Sequence, residues 1–515
     1  MSAFDVRDLL KAAGTADAPS DLHEQVLAPA GATGLGPALA MPAHDTMRPR
    51  ASLSPVVLTG CVRIFECILI GTLAILAHQI EAGGFGAIHV AIAVAIACLA
   101  VSVLQAGRAY RIDTFGSLRK TVIKLLAGWF LTIILVAGAL ALTHIAASGA
   151  WLWLANLYVL GLIALAINRA ALLLFVRAKT RQGAFDRKTA IVGGGPAAEE
   201  LINALESSND GGIQIIGVFD DRSDDRSADS VAGYPKLGNV TDLVAYARNE
   251  RIDLIVFTLP ISAEGRILQM LAKLWVLPID IRLSAHTTKL RLRPRAYSYL
   301  GKVPVLDVFD KPLADWDMIV KGLFDRAVAL LAVICLSPVL LGLALAVKLT
   351  SRGPALFRQK RYGFNNELIE VYKFRSMYVD QGDAKAAKLV TKDDPRVTPI
   401  GRIIRKTSLD ELPQLFNVLK GDLSLVGPRP HALEAKAANT LYDQVVDGYF
   451  ARHKVKPGIT GWAQIHGWRG ETDTSEKIQR RVEHDLYYIE NWSILLDIQI
   501  LVKTPFALLD TKNAY

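Results

Sequence analysis

The sequence predicts a membrane α/β protein of three parts: a four-helix transmembrane N-terminal unit at 51–178, a Rossmann-like α/β cytoplasmic domain at 187–310, and a C-terminal monotopic domain at 316–515. Three observations lead to this class. The 515 residues are 51% hydrophobic, the first third of the chain holds four apolar runs of bilayer length, and short β-type runs then alternate with helical patterns. The stretch 1–50 is expected to be a flexible tail, because it has no basic region followed by an apolar core.

The charge balance and the cysteines limit what the chain binds. The 58 Lys and Arg against 49 Asp and Glu leave a net charge of +9, which favours anionic lipid or phosphate partners, and no nucleic-acid partner is expected. All the cysteines lie in apolar stretches without Cys-x-x-Cys pairing, so neither a disulfide framework nor a zinc site is expected. They are Cys61, Cys67, Cys98 and Cys335.

The apolar runs of the first third are each long enough to cross a bilayer. They lie at 53–79, 86–106, 122–142 and 151–176. Basic residues cluster between the second and third runs and again after the fourth, whereas the other two loops have none. By the positive-inside rule both ends of this unit face the cytoplasm, so everything after residue 177 begins there.

Two charged residues inside the first run, Arg63 and Glu66, lie one helical turn apart. The favoured interpretation is a local ion pair near the membrane interface. A functional intramembrane pair is the alternative.

A fifth apolar run at 327–347 has no charged residue, and Ser337-Pro338 lies at its middle. Basic residues flank it on both sides, which favours two cytoplasmic ends. Proline removes a helix hydrogen bond and bends the axis. The sequence therefore predicts a re-entrant membrane helix at 320–349 that dips into one leaflet, with an ordinary kinked span as the alternative.

The predicted α/β domain carries one candidate nucleotide loop. Gly193 to Gly195 follow the first strand and open a helix, in the position of a loop that presents a helix N-terminus to a pyrophosphate. Asp220 ends the second strand, where a ribose-binding acid would lie. Because Ala198 replaces the third glycine of the fingerprint, a tight strand-to-helix turn without a ligand is the alternative.

The last third of the chain combines basic groups, acids and Gly-Pro turns, as phosphoryl transfer requires. A diphosphate is neutralised by Arg and Lys, a divalent cation takes carboxylate oxygens, and a nucleophile must lie in line with phosphorus. Asp410 and Glu411 are the obvious carboxylates, because neighbours at a helix start point about 100° apart and can divide these roles. The alternative is a capping box from Ser408 to Glu411, in which the acids only stabilise a helix.

Four strings in this region are unusual: KR at 360–361 with YKFRSM at 372–377, KTSLDELPQLFNV at 406–418, SLVGPRP at 424–430 and HKVKPGITG at 453–461. Together they resemble the bacterial sugar transferase family, the polyprenyl-phosphate hexose-1-phosphate transferases that start exopolysaccharide and O-antigen repeat units. The apolar runs and the α/β domain are also similar to the large members of this family. The resemblance therefore covers about residues 53–512.

The resemblance implies a phosphoglycosyl transferase domain in which Asp410 attacks the β-phosphate of a UDP-sugar, forms an aspartyl phospho-sugar and releases UMP. Undecaprenyl phosphate then takes the hexose 1-phosphate. Glu411 is implied as the Mg²⁺ ligand, and Mn²⁺ can substitute. The candidate phosphate-binding residues are Arg405, Arg429, Lys360, Arg361 and Arg375. The candidate helix-break residues are Ser337 and Pro338, and the candidate membrane-interface anchors are Lys321, Asp325 and Arg326.

The same resemblance implies a multi-pass protein of the bacterial inner membrane, with its catalytic domain on the cytoplasmic face and membrane lipid as a further partner. A homodimer is left open, as is a regulatory or spacing role for the α/β domain. The segment 461–474 is similar to the glucose-transferring branch, although His466 stands where Asn is common. We expect UDP-glucose as the donor, with UDP-galactose or another UDP-hexose as the alternative.

The end of the chain and two rival functions complete the expectations. The stretch 487–509 is amphipathic and suits a helix lying on the membrane, with a buried core helix as the alternative. One rival function is a membrane nucleotide-sugar dehydratase or epimerase, which predicts a catalytic Tyr-x-x-x-Lys that the chain does not contain. The other is a non-catalytic assembly scaffold, which predicts that Asp410→Asn is silent.

Overall fold

The computed structural model describes most of the chain after the N-terminal tail. The described residues are 53–82, 86–142, 150–207, 212–222, 229–260, 263–285, 298–300, 303–379, 394–431, 436–437, 440–441, 449–468 and 474–509. The tail expected at 1–50 lies outside them, as does 469–473 of the segment used for the sugar preference. The chain divides into a compact unit of residues 47–187 and a second that contains 188–515.

The first unit consists of four long apolar helices and one short helix. They are α1 (Pro55–Ala82), α2 (Ala87–Ala106), α3 (Ile112–Phe115), α4 (Leu118–Leu142) and α5 (Ala150–Arg181). Each long helix reaches the about 20 residues that cross a bilayer. With one helix farther along, five helices among the described residues are long and apolar enough to do so, which fits a membrane protein.

A close approach between α4 and α5 organises the interior of this unit. A Cβ on Gly161 would stand 2.3 Å from the Trp129 ring, so only glycine lets the two helices meet there. Trp129 is fully buried and donates from Nε1 to the carbonyl of Tyr158 at 3.0 Å. Apolar side chains such as Ile68 and Leu174 stay exposed on the outer faces, as expected for surfaces that lipid covers.

The predicted local pair of Arg63 and Glu66 is wrong. Glu66 is fully buried and accepts hydrogen bonds from Arg169 Nη2 at 2.8 Å, Asn168 Nδ2 at 2.8 Å and the Tyr110 hydroxyl at 2.7 Å. Arg63 lies over the Tyr110 ring instead, 5.5 Å from its centroid. Because Glu66 points into the helix bundle, its partners come from α5 and from the loop before α3, not from its own helix.

The second unit begins with an eight-stranded mixed sheet. Its strands are β1 (Arg187–Val192), β2 (Ile213–Phe219), β3 (Ser230–Val231), β4 (Tyr234–Gly238), β5 (Leu254–Phe257), β6 (Asp280–Ser284), β7 (Ser298–Leu300) and β8 (Val303–Phe309), and its helices are α6 (Pro196–Ser207), α7 (Val240–Asn249) and α8 (Glu264–Leu274). The strand order is β3-β4-β2-β1-β5-β6-β8-β7. The central pairs are parallel, as predicted, but β8 runs antiparallel to β6 and β7, and β3 to β4.

The candidate nucleotide loop is held together by Asp220. Gly193 and Gly195 have φ of 100° and 85°, a region that favours glycine. Asp220 Oδ2 accepts from Gly194 N and its Oδ1 from Arg222 N, both at 3.1 Å. Both oxygens of the expected ribose-binding acid are therefore engaged within the loop, and nucleotide binding stays a prediction.

The rest of the second unit begins with one long helix, α9 (Asp315–Thr350). The other elements are β9 (Leu356–Tyr362), β10 (Leu368–Phe374), α10 (Pro399–Lys406), α11 (Gln414–Lys420), β11 (Ser424–Val426), β12 (Lys436–Ala437), β13 (Thr440–Leu441), β14 (Gly458–Thr460), α12 (Trp462–Ile465), α13 (Ser475–Glu490) and α14 (Ile494–Leu509), with 3₁₀ turns at Phe364–Asn366, Leu409–Glu411 and Tyr449–Lys454. β9 and β10 form an antiparallel hairpin, and β11 pairs with β14.

Helix α9 packs on these elements along most of its length. Ala329 belongs to an apolar core with Val371 of β10, and Val347 to a second core with Phe374 at the end of the same strand. The opposite face is apolar and exposed. Its residues include Leu323, Leu330, Leu331, Ile334, Leu341, Leu345 and Leu349.

Pro338 lies inside α9, and the helix continues through it. Proline has no N–H, so the carbonyl four residues earlier, that of Ile334, loses its usual donor. The Ser337 hydroxyl donates to that carbonyl at 2.8 Å. The Ser-Pro pair thus satisfies this carbonyl without ending the helix, and a bend of the helix axis at this point stays a prediction.

Candidate active site

A turn between α10 and α11 holds the two predicted carboxylates. The Thr398 hydroxyl caps α10 by accepting from Gly401 N at 3.0 Å, and a Cβ on Gly401 would stand 2.1 Å from the Ser376 carbonyl. The chain then passes through Ser408, with a left-handed φ of 57°, into the 3₁₀ turn Leu409–Glu411. No side-chain hydrogen bond caps this turn, so the capping-box interpretation is wrong. Consecutive side chains of a 3₁₀ turn point about 120° apart, so Asp410 and Glu411 point in different directions.

Glu411 is clamped between two cations. Its Oε1 accepts from Lys373 Nζ at 2.8 Å, and Arg429 donates to both oxygens, from Nη2 to Oε1 at 2.5 Å and from Nη1 to Oε2 at 3.2 Å. Burial opposes ionisation of Glu411, but the charges of Arg429 and Lys373 outweigh it and hold its pKa well below the ordinary value. Glu411 is therefore a fixed negative charge that orients two positive ones.

Asp410 differs from its neighbour. It is half-buried and accepts no hydrogen bond from the described residues. Burial raises its pKa, the charge of Glu411 adds to this effect, and the positive charges of Lys373, Arg405 and Arg429 act in the opposite direction. Asp410 is thus a free carboxylate in a positive surrounding, the state that a nucleophile toward phosphorus requires.

Of the candidate phosphate-binding residues, Arg405 and Arg429 act on the carboxylate pair. Arg429 binds Glu411 directly, and its pKa is raised mainly by that carboxylate. Arg405 is half-buried, its guanidinium donates no hydrogen bond to the other described residues, and its charge favours the ionised form of Asp410. Arg405 therefore keeps its donors available for an anionic ligand.

The other three candidates differ from one another in their surroundings. Arg375 is buried and donates to the carbonyls of Ser351 and Arg352 at 2.8 and 2.9 Å, so it stabilises the C-terminal end of α9 and is not available to a phosphate. Arg361 donates to the Pro430 carbonyl at 2.6 Å, next to Arg429 in the chain, and its charge interacts with those of Glu411 and Asp410. Lys360 is exposed and, one residue from Arg361 in β9, points to the opposite face of the strand.

The predicted anchors fix α9 to protein. Lys321 and Asp325 are buried, and Lys321 Nζ pairs with Asp325 at 3.3 Å and with Asp497 of α14 at 2.7 Å. Asp325 also accepts from the Ser424 hydroxyl at 2.7 Å. Arg326 is exposed and donates weakly to a carbonyl of its own helix. The first two residues therefore tie α9 to β11 and α14, and only Arg326 remains where it could face lipid headgroups.

The donor set at the carboxylate pair fits a magnesium ion that is shared with a phosphate. Asp410 has both oxygens free, and Glu411 Oε2 accepts a single hydrogen bond, which leaves it a lone pair. No group of three or more His, Cys, Asp or Glu side chains within the described ranges could hold a metal. Mg²⁺ is commonly bound by one or two carboxylates together with substrate phosphates, and this pair can supply that share.

Sequence analysis missed two residues that build the site. Lys373 lies in the same string as Arg375, and only the strand geometry shows which of the two cations reaches Glu411. Asn417 is fully buried, accepts from Tyr372 N at 2.9 Å and donates to the Glu370 carbonyl at 2.6 Å, so it joins α11 to β10. No sequence signal distinguishes such an asparagine from a surface one.

Two family models match the chain: the bacterial sugar transferase model at residues 316–511 and a CoA-binding domain model at 105–285. The UDP-glucose:undecaprenyl-phosphate glucose-1-phosphate transferase of Escherichia coli (strain K12) is 38% identical over 391 residues, 76% of this chain and 82% of that protein. The undecaprenyl-phosphate glucose phosphotransferase of Komagataeibacter xylinus is 41% identical over 338 residues, 64% of this chain and 60% of that protein. The exopolysaccharide production protein PSS of Rhizobium leguminosarum bv. phaseoli is 48% identical over 188 residues, 36% of this chain and 94% of that protein.

These matches confirm the resemblance that the sequence strings carry. Their identity and coverage leave the dehydratase and scaffold interpretations without support. The chain is an enzyme of the transferase class and belongs to the bacterial sugar transferase family.

Proposed function

We propose that this protein moves hexose 1-phosphate, with glucose as the sugar, from a UDP-sugar to undecaprenyl phosphate and releases UMP, the first step of exopolysaccharide repeat-unit assembly. The observation that carries the proposal is the free carboxylate of Asp410 beside Glu411, which Lys373 and Arg429 hold in place. A hydrolase would use such a carboxylate to activate water. In a two-step transfer the carboxylate instead attacks the first phosphate substrate and is then displaced by the second, which a free carboxylate allows.

In the first proposed step an Asp410 oxygen attacks the β-phosphorus of the UDP-sugar. The bond from that phosphorus to the bridging oxygen breaks, and the bridging oxygen leaves with UMP. Arg405, with unused donors, and the charge of Lys373 stabilise the negative charge that shifts onto the leaving group. The product is a sugar phosphate joined to Asp410 through a new P–O bond.

In the second proposed step a phosphate oxygen of undecaprenyl phosphate attacks the same phosphorus. The bond to Asp410 breaks, so the carboxylate is restored and undecaprenyl-diphospho-sugar forms. We propose Glu411 as the protein ligand of Mg²⁺, for which Mn²⁺ can substitute, while Asp410 acts as the nucleophile. When bound, such an ion neutralises diphosphate charge, while Glu411 also keeps Arg429 in position.

We propose that α9 dips into the cytoplasmic leaflet of the inner membrane and that the carboxylate pair faces the cytoplasm. Helix α9 is 36 residues, about 54 Å long if straight, yet buried residues from Lys321 to Val347 contact the elements that follow it. A span that crossed the bilayer would carry its middle away from those elements. The exposed apolar face, the basic flanks and Pro338 suit a helix that bends within one leaflet.

The proposal is tested by UMP release from a panel of UDP-sugars, using the full chain in detergent with Mg²⁺ and undecaprenyl phosphate. We expect UMP from UDP-glucose, and the Asp410→Asn variant should lose at least about 10³-fold in rate, because the nucleophile is absent. The matched control is Asp422→Asn, whose half-buried carboxylate pairs with the exposed Lys420 at 2.9 Å, apart from the carboxylate pair, and should leave the rate unchanged.

A second readout follows the covalent step. Without undecaprenyl phosphate, the wild type incubated with UDP-glucose should gain the mass of a hexose phosphate on the peptide that contains Asp410. An Asp410→Asn variant that stays fully active, or a wild type that releases UMP from no UDP-sugar, would contradict the proposal. UMP from UDP-galactose alone would retain the reaction and correct the sugar.

A further inference from the structure

The proposed mechanism gives no role to Arg452, although it is among the largest fully buried side chains of the described residues. It lies in the 3₁₀ turn Tyr449–Lys454. We propose that Arg452, with Asp485 as its counter-ion, is a positioning residue that fixes the backbone of Arg429 and so aims its guanidinium at Glu411. This inference rests on the proposed function, because Arg452 contacts Arg429 and not the substrate or the carboxylate pair.

The chain around Arg429 is held at every carbonyl. Four consecutive carbonyl oxygens accept hydrogen bonds from different elements. They are Pro428 O from Gly458 N at 2.9 Å, Arg429 O from Arg452 Nη2 at 2.9 Å, Pro430 O from Arg361 Nη1 at 2.6 Å and His431 O from Tyr362 N at 3.4 Å. The two prolines have fixed φ angles. The direction of the Arg429 side chain is therefore set by the backbone that carries it.

Arg452 makes the bond to Arg429 itself, and its own orientation is fixed. Nη2 also donates to Asp485 Oδ2 at 2.5 Å, and Nη1 donates to the Tyr449 hydroxyl at 3.1 Å and contacts the His431 ring. A planar guanidinium reaches these acceptors at once, which the single ammonium of lysine does not.

Arg452 is paired with a buried acid. A buried cation is costly unless it is paired, and Asp485, only 2% exposed, supplies the opposite charge. Burial, reinforced by Arg452 and Arg481, holds the pKa of His431 well below its usual value. The ring therefore stays neutral and adds no second positive charge. Asp485 and the neutral His431 ring thus hold the Arg452 guanidinium in one orientation.

A double-mutant cycle separates positioning from general stability. The rates of Arg452→Lys, Arg429→Gln and the double variant are followed by single-turnover transfer from radiolabelled UDP-glucose, alongside thermal unfolding of each full-length protein in detergent. If Arg452 acts through Arg429, Arg452→Lys should slow transfer about tenfold or more in the wild type and less than about twofold in Arg429→Gln. The control is Arg480→Lys, an exposed arginine on the same helix as Asp485, which should change neither rate.

Equal losses in both backgrounds would overturn the positioning role and leave the proposed function intact. Absence of UMP from the wild type with every UDP-sugar would overturn both. If Arg452→Lys fails to fold, Asp485→Asn takes its place, because it keeps Arg452 and removes only the counter-ion's charge. Its smaller loss of rate should likewise vanish in Arg429→Gln, and persistence of that loss would contradict the inference.

Discussion

Glu66 in the helical unit and Glu411 in the transferase part are both carboxylates held by an arginine, but their surroundings differ. Glu66 is fully buried, and Arg169, Asn168 and Tyr110 all donate to it. The Glu411 side chain is 15% exposed, and beside it lies Asp410, which accepts no hydrogen bond from the described residues. The two sites therefore differ in the free carboxylate that lies next to Glu411, and not in the ion pair itself.

Of the effects that this comparison predicts, the largest concerns the Glu411 side. Glu411→Gln removes the charge that orients Lys373 and Arg429, and we expect UMP release to fall by about 10²–10³-fold, a usual loss for a preorganised charged group. The matched change Glu66→Gln should leave the rate per folded molecule unchanged. A Glu411→Gln variant of normal rate would show that the clamp is only structural.

The next effect concerns stability. Arg169→Met leaves Glu66 buried without its cation, and breaking a buried pair in this way costs about 3–5 kcal/mol. Thermal unfolding in detergent should therefore begin at lower temperature, while the rate per folded molecule stays the same. Arg63→Met serves as the control, since Arg63 is not part of the pair, and an equal destabilisation there would contradict the distinction.

The smallest expected effect is a shift in the pH dependence of UMP release. Asp410 must be ionised to attack, so activity is present above its pKa and is lost as the pH falls through it. Burial raises that pKa, which puts the acid limb above the about 3.9 of an ordinary aspartate. Arg405 lowers the pKa of Asp410, so Arg405→Gln should move the limb to higher pH. A limb in kcat/KM that does not move would show that Arg405 does not act on Asp410.

The sequence predicted the apolar helices, the α/β sheet and the carboxylate pair because each leaves a local signal: length, alternation, or a rare string. It did not predict which charged side chains form ion pairs with one another. Glu66 pairs with a residue 103 positions away, and Glu411 with Lys373 and Arg429 from two separate strings. Arg375 is of a residue type that often binds phosphate. Because β10 ends close to the C-terminal end of α9, its guanidinium instead hydrogen-bonds the carbonyls there.

The position of α9 has a consequence for protein engineering. Because Ala329 and Val347 belong to two of the apolar cores of the transferase part, deleting 315–350 to make this part more soluble would open both cores. The alternative is to keep the helix and replace only residues of its exposed face, such as Leu323, Leu341 and Leu349, which are 69%, 72% and 78% exposed. A more soluble transferase part therefore requires polar substitutions on the exposed face of α9, because the buried face of the same helix is part of the folded core.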